Sequence, residues 1–297
     1  MSEGARTIGI LYSGEMGAAL ASALRGKGFR VVTTLDGRSE RTAARARASG
    51  LVVLDSLIDV VREAEVVFSL VSPASAENVA RDYCAVAHLA LADAVYVDAN
   101  SIGPDTTSAI AGQVVRADRS FVDGSINGLA TNLTTSGTLF LSGPRAGDVA
   151  TLFGDAVRVR VLGETIGAAS TMKMLLGGLS KGLCGLFLEL ALVADRRGML
   201  GEMLETTREI YPGVQAVVDR TLPTYAQHSA RRSTEMRELL ATAQASSIEP
   251  CVIDAIRRLH ELLANTNFTT ASGADVRSIV RHLQAAGLLS GSESNAV

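Results

Sequence analysis

The 297-residue chain contains no tryptophan, 4% aromatic residues, six prolines and three cysteines. Cys84, Cys184 and Cys251 lie far apart and lack metal-knuckle spacing, so no metal site is expected. An odd number of cysteines in apolar surroundings reads as buried thiols in a reducing cytoplasm. Neither sign of charge dominates: 28 basic residues face 31 acidic ones. That balance gives no electrostatic case for nucleic acid or an anionic membrane as partner. The segment Met1 to Arg6 lacks the apolar core of a signal peptide. The longest apolar stretch, Met174 to Ala194, carries Lys181 and Glu189 and four glycines, which argues against a membrane span.

What the chain does have is length for two domains and an ordered alternation of patterns. Short β-rich runs at Thr7 to Tyr12, Arg30 to Leu35, Leu51 to Val53, Val66 to Val71 and Ala94 to Asp98 predict strands. Helical runs fall between them, at Met16 to Gly26, Ser39 to Ala48, Leu57 to Ala64, Ser75 to Ala90 and Pro104 to Val115. Strand–helix alternation predicts an α/β doubly wound parallel sheet with right-handed crossovers. Later strands are expected at Ser120 to Asp123, Thr138 to Ser142 and Val157 to Leu162. After Thr165 strand signals nearly vanish and helical runs follow one another to Ala286, with Pro212, Pro223 and Pro250 marking starts or turns. The expected organisation is therefore a nucleotide domain over 1–163, an all-α domain over 164–289, and a frayed polar tail over 290–297.

The first strand runs into Gly9-Ile10-Leu11-Tyr12-Ser13-Gly14-Glu15-Met16-Gly17. A dinucleotide fingerprint places three glycines as G-x-G-x-x-G between a strand and a helix, for a tight turn, pyrophosphate approach and close packing. Gly14 and Gly17 hold the second and third places, and Tyr12 stands in the first. Free backbone N–H groups at the helix N-terminus would still receive a pyrophosphate. Tyr12, Ser13, Gly14, Glu15, Met16 and Gly17 are thus candidate cofactor contacts of a Rossmann-type domain. Cofactor choice is read after the second strand, where an acidic side chain suits a ribose 2′-OH and an arginine suits a 2′-phosphate. Arg38 and Ser39 make a phosphate pocket, with Arg41 a further candidate, so NADP(H) is favoured over NAD(H); Asp36 is the residue that would serve NAD.

Two strand-to-loop transitions face the substrate end. Asn100 and Ser101 follow a strand and offer an amide and a hydroxyl beside the nicotinamide, able to hold a substrate carboxylate and hydroxyl; the bland alternative is a helix cap. Asn127 and Gly128 close the second, where Gly128 exposes backbone N–H groups to an anion. Val71, Ser72 and Pro73 would pass beside the nicotinamide ribose. Lys173 opens the long apolar helix, where a lysine must snorkel, pair or do chemistry. Residues seven and four apart lie about 20° and 40° apart on a helix, so Ser180 and Gly177 share its face and leave room for a ligand, while Lys181 is displaced by about 80°.

In this order the segments resemble the β-hydroxyacid dehydrogenase superfamily, which includes 3-hydroxyisobutyrate and 6-phosphogluconate dehydrogenases. Gly9, Gly14, Met16 and Gly17 match its opening loop, and Asp98, Asn100 and Ser101 match its substrate segment. Asp123 to Leu129 resembles its D-x-x-V-S-G-G segment, with Asn127 for the serine and Leu129 for the last glycine. Its G-x-x-x-x-x-K-x-x-N helix falls on Gly167 and Lys173, with Leu176 for the asparagine. The second half resembles a branch whose C-terminal domain has no assigned function. Leu222 to Tyr225, His228, Arg231, Arg232, Glu235 and Met236 look like that domain's signature.

The resemblance implies hydride transfer between a nicotinamide and the carbinol carbon of a small β-hydroxy acid, or its keto or semialdehyde form. Lys173 would be the general base in oxidation and acid in reduction. Asn100, Ser101, Asn127, Gly128 and Gly177 would line the substrate, a small carboxylate, with His228, Arg231 and Arg232 as further anion contacts. Loss of the asparagine at Leu176 means that the substrates of better-known members do not carry over. Tyr225 reads as packing. An NADPH-dependent imine reductase and a non-catalytic NAD(P)-binding protein are the alternatives. The Lys173 helix is too apolar to be left exposed, so a homodimer through the helical domain is expected.

Overall fold

The structure, a computed structural model, describes residues 6–265 and 275–285. The chain divides into two compact units, Met1–Lys173 and Met174–Val297, a division that falls inside a helix. The expected tail over 290–297 lies outside the described residues.

The first unit alternates β1 (Thr7–Leu11), α1 (Glu15–Gly26), β2 (Arg30–Thr34), α2 (Glu40–Ala48), β3 (Val52–Leu54), α3 (Leu57–Glu63) and β4 (Val66–Ser69). It continues through α4 (Ala76–Val86), β5 (Val95–Asp98), α5 (Pro104–Arg116), β6 (Ser120–Asn127), β7 (Thr138–Ser142), α6 (Ala146–Thr151) and β8 (Arg158–Val161). The strands form one sheet in the order β3-β2-β1-β4-β5-β6-β7-β8. Order reverses between β1 and β4, so the C-terminal ends of these strands flank a crevice where ligands of doubly wound sheets bind. The sheet is the expected doubly wound parallel one except that β6 and β7 pair antiparallel. That pairing extends β6 to Asn127, four residues past the predicted end at Asp123.

Both faces of the sheet are covered, as a parallel sheet requires. Ile8, Ile10, Val31, Phe68 and Val97 point into one buried cluster with Leu20 and Leu24 of α1. Their strand neighbours Leu11, Val32, Val67 and Tyr96 point into the other, with Val60, Tyr83 and Ile110. The period-two side-chain alternation of a strand serves both layers at once. Local signals start the helices: Ser39 and Ser56 accept the N–H of Thr42 and Asp59 at 3.3 Å, and Pro104 opens α5.

Helix α7 (Ala168–Arg196) begins in the first unit and runs 29 residues. Among the described residues it alone is long and apolar enough to cross a membrane, by length and composition only. The second unit adds α8 (Leu200–Ile210), α9 (Pro212–Thr221), α10 (Ser229–Ala245), α11 (Cys251–Ala264) and α12 (Val276–Ala285). Its core gathers Phe187, Leu188 and Ala191 of α7 with Leu204, Val218, Leu259 and Ile279. Leu175, Leu179, Leu186, Leu190 and Val193 of α7 are at least half exposed, a stripe at spacings of three, four and seven residues.

Candidate active site

The β1–α1 turn has the geometry of an anion seat. Gly14 caps α1 with no side-chain hydrogen bond, so the first N–H groups of a twelve-residue helix keep their donors. A methyl group placed on Gly14 would meet nothing within 4 Å. On Gly17 it would stand 2.6 Å from the Tyr12 carbonyl oxygen, so this glycine is demanded by helix–strand packing. These are the second and third roles of the dinucleotide glycines, and the turn fits a pyrophosphate. Ser13 is buried and Met16 packs against the core, while Glu15 is exposed and ion-paired with Arg45. The Tyr12 ring is half-buried against the core cluster on one face of the sheet, burial raises the pKa of its hydroxyl, and the Arg38 guanidinium lies 4.1 Å from the ring centre. Arg38 also donates from Nε to the Asp36 carbonyl at 3.2 Å, and Ser39 next to it caps α2.

Further along the same strand ends, Asn100 ties two loops together. Its Oδ1 accepts the Val71 N–H at 2.6 Å, and its Nδ2 donates to Ser69 Oγ and to Asp98 Oδ2, each at 3.0 Å. The Asn100 N–H donates to Asp98 Oδ1 at 3.0 Å. Asn100 is 2% exposed and both its amide hydrogens are engaged, so what it still offers a ligand is one Oδ1 lone pair. The first of these bonds holds Val71, and in the following turn Ser72 and Ser75 share a 2.8 Å hydroxyl contact. Burial pushes the Asp98 carboxyl up to about 6; the Asn100 hydrogen bonds oppose this, and nearby Asp123 adds to it.

Lys173 donates from Nζ to Ser101 Oγ at 2.6 Å. The two residues come from segments 72 apart in sequence, and a buried carboxylate accounts for how they meet. Asp123, opposite Asp98 in the β5–β6 register, accepts from the Ser170 N–H at 3.1 Å, Ser170 Oγ at 2.6 Å and Ser142 Oγ at 3.0 Å. Ser142 in turn accepts the Ala169 N–H at 3.0 Å, and Ser125 donates to the Ala169 carbonyl at 2.7 Å. Thr107 shares a 2.9 Å contact with Ser170. Asp123 thus holds the first turn of α7, where a negative charge also suits the helix dipole, and Lys173 stands one turn later. Asn127, the last residue of β6, and Gly128 after it are exposed; Gly128 takes φ +136° and lies where a side chain would press on Gly137.

Sequence reading missed the anchoring set Asp123, Ser142, Ser170 and Thr107. The available signal was an aspartate at a strand end, repeated at Asp98 and Asp123, each followed within three residues by small polar residues.

In the helical unit Gly177 lies under Lys181, whose Nζ would be 3.0 Å from a methyl group there. Lys181 pairs with Glu235 at 2.9 Å, and Arg231 pairs with the same carboxylate at 2.8 Å. Arg232 is buried, donates to Thr224 O and Oγ1 at 2.8 and 3.2 Å, and lies over the Tyr225 ring. Tyr225 is fully packed and donates to the Lys181 carbonyl at 2.7 Å, with its hydroxyl held well above the usual range by burial. His228 is partly buried at the start of α10; burial and Arg231 lower its basicity.

Fold and site define a dinucleotide-binding hydroxyacid-dehydrogenase-like protein. Residues 7–152 match the NAD binding domain of 6-phosphogluconate dehydrogenase, and residues 194–263 match a domain of unknown function (DUF1932). An uncharacterized 28.5 kDa protein of Methanothermus fervidus is 29% identical over 254 residues, 85% of this chain and 96% of that protein. The solved structure of MTH1747, a conserved protein of unknown function described as similar to 3-hydroxyacid dehydrogenases, is 30% identical with a TM-score of 0.70, covering 86% of this chain and 96% of that one. The fold is also that of 3-hydroxyisobutyrate dehydrogenase from Mycobacterium tuberculosis, at 16% identity and a TM-score of 0.76 over 94% and 99% of the two chains. The chain belongs to the β-hydroxyacid dehydrogenase superfamily, in the branch whose second half carries that domain of unknown function.

Proposed function

We propose that the protein is an NADP(H)-dependent oxidoreductase that moves hydride to or from a small β-hydroxy acid or its keto or semialdehyde form, with Lys173 as general acid and base. The observation that carries this reading is the 2.6 Å bond from Lys173 Nζ to Ser101 Oγ, formed at the strand ends of a dinucleotide-type sheet. The nicotinamide, when bound, supplies or receives the hydride. Ser101 holds Nζ in one place, so a substrate hydroxyl lying against both groups is within hydrogen-bond reach of a proton acceptor. Lys173 takes that proton in oxidation; in reduction its ammonium polarises the carbonyl oxygen and returns the proton. The exposed backbone at Asn127 and Gly128 is suited to orient the carboxylate. A cationic Lys173 would repel an iminium, which weighs against imine reduction.

The cofactor half is tested by titration with NADPH and NADH, following the fluorescence of the reduced nicotinamide, which no tryptophan obscures. Tight NADPH binding that Arg38→Ala weakens far more than NADH binding supports the 2′-phosphate assignment. Equal losses for both cofactors refute it. The catalytic half is tested by NADP+ reduction over a panel of β-hydroxy acids. Lys173→Ala should lower turnover roughly 100-fold or more while cofactor affinity stays; full activity in that variant ends the assignment.

A further inference from the structure

Tyr12 stands where the first glycine of the fingerprint is usual, and the structure shows what the ring does there. We infer that Tyr12 is a specificity-determining residue, the platform that holds Arg38 ready for the 2′-phosphate of NADP(H). The inference rests on the dinucleotide reading above and deepens it.

The ring is half-buried and packed against the sheet cluster, so its position is set by packing. The Arg38 guanidinium carbon lies over the ring at 4.1 Å from the centroid, the distance of a cation–π contact. The Nε–H of Arg38 is bonded to the Asp36 carbonyl at 3.2 Å. The ring contact and the Nε bond are two separate restraints on the guanidinium, and neither uses an Nη hydrogen. Arg38 makes no salt bridge with a carboxylate among the described residues, whereas Arg45, seven residues on, is neutralised by Glu15. A guanidinium held against a ring, without a carboxylate in salt-bridge contact and next in sequence to Ser39, is suited to a phosphate dianion. A free arginine at this exposed position would have to give up rotamer freedom on binding, which the stack has already removed. A glycine at position 12 would complete the usual turn and leave Arg38 without support. The departure from the fingerprint at Tyr12 and the arginine at position 38 are therefore parts of one device.

The test is a double-mutant cycle read as dissociation constants for NADPH and NADH on the purified full chain. The variants are Tyr12→Leu, Tyr12→Phe, Arg38→Ala and the Tyr12→Leu/Arg38→Ala pair. Tyr12→Leu should weaken NADPH about two- to fivefold, from the usual strength of an exposed cation–π contact, and change NADH by less than about twofold. Tyr12→Phe keeps the ring and should match the wild type. In the Arg38→Ala background, Tyr12→Leu should change NADPH affinity no further. Tyr12→Leu weakening both cofactors alike, or costing as much without Arg38 as with it, would overturn the proposal. A wild type that binds neither cofactor would overturn the dinucleotide reading itself, a result distinct from either.

Discussion

Asp123 is the residue whose removal the structure prices most directly. It is fully buried and accepts three hydrogen bonds, two from Ser170 and one from Ser142, at 2.6 to 3.1 Å. Hydrogen bonds to a charged group contribute about 1.5–3 kcal/mol each. Not all of that is lost in Asp123→Ala. Ser170 Oγ keeps Thr107 at 2.9 Å, and Ser142 Oγ keeps the Ala169 N–H at 3.0 Å. The Ser170 N–H is the donor stranded in a dry site. Removing a buried carboxylate also relieves its desolvation and its repulsion of Asp98. The balance is a destabilisation of about 3 kcal/mol, within the range for breaking a buried polar network. Asp123→Asn retains one acceptor for the Ser170 N–H and lets both hydroxyls rotate, so about 1 kcal/mol is expected. Urea denaturation followed by far-ultraviolet circular dichroism reads both values. Cofactor affinity should be unchanged in either variant, because the Tyr12–Gly17 turn shares no hydrogen bond with this network. An alanine variant within about 1 kcal/mol of wild type, or an asparagine variant as damaged as the alanine, would refute the account of Asp123 as the anchor of α7.

The two loop glycines should separate folding from binding. Gly17→Ala drives a methyl group to 2.6 Å from the Tyr12 carbonyl and should lower the melting temperature, whereas Gly14→Ala meets nothing and should melt like wild type while weakening NADPH; similar melting for both refutes the division of roles. His260 is fully buried and held neutral, its pKa lowered to about 3 by burial and then by Arg232 and Lys181. Its folded value lies below the unfolded 6.5, so the stability it contributes is present above pH 6.5 and lost as pH falls toward 3. Equilibrium unfolding should show the helical unit weakening over that window, and His260→Leu should flatten the slope; an unchanged slope sinks the assignment. Asp98 acts oppositely in the sheet unit: with its pKa raised to about 6, its contribution is fully present below pH 3.8 and lost as pH rises through 6. The exposed α7 stripe is expected to pack on a second copy of the chain, and Leu179→Glu with Leu186→Glu should shift sedimentation from dimer to monomer. A wild type already monomeric would contradict this.

Much of the architecture was written in local pattern. Alternation of short apolar runs with alanine- and arginine-rich helices defined the sheet unit, because side-chain period and turn chemistry are properties of neighbouring residues. Gly14, Gly17, Arg38 and Lys173 stood out for the same reason: each is a residue type whose backbone freedom or charge is conspicuous at its place in a strand–turn–helix string. Local pattern could not reveal that β7 runs antiparallel to β6, since direction is set by which edge a returning strand meets. It could not show that the Asn100 amide faces inward, tying Val71, Ser69 and Asp98, since those partners are up to 31 residues away. Nor could it pair Tyr12 with Arg38, because the ring and the guanidinium meet only in the folded chain. The sequence by itself determined the class of fold and the residues able to do chemistry. Tertiary structure alone decided which of them meet, because the Lys173–Ser101 contact is closed by a buried carboxylate on a third segment, and burial is not a property of any one segment.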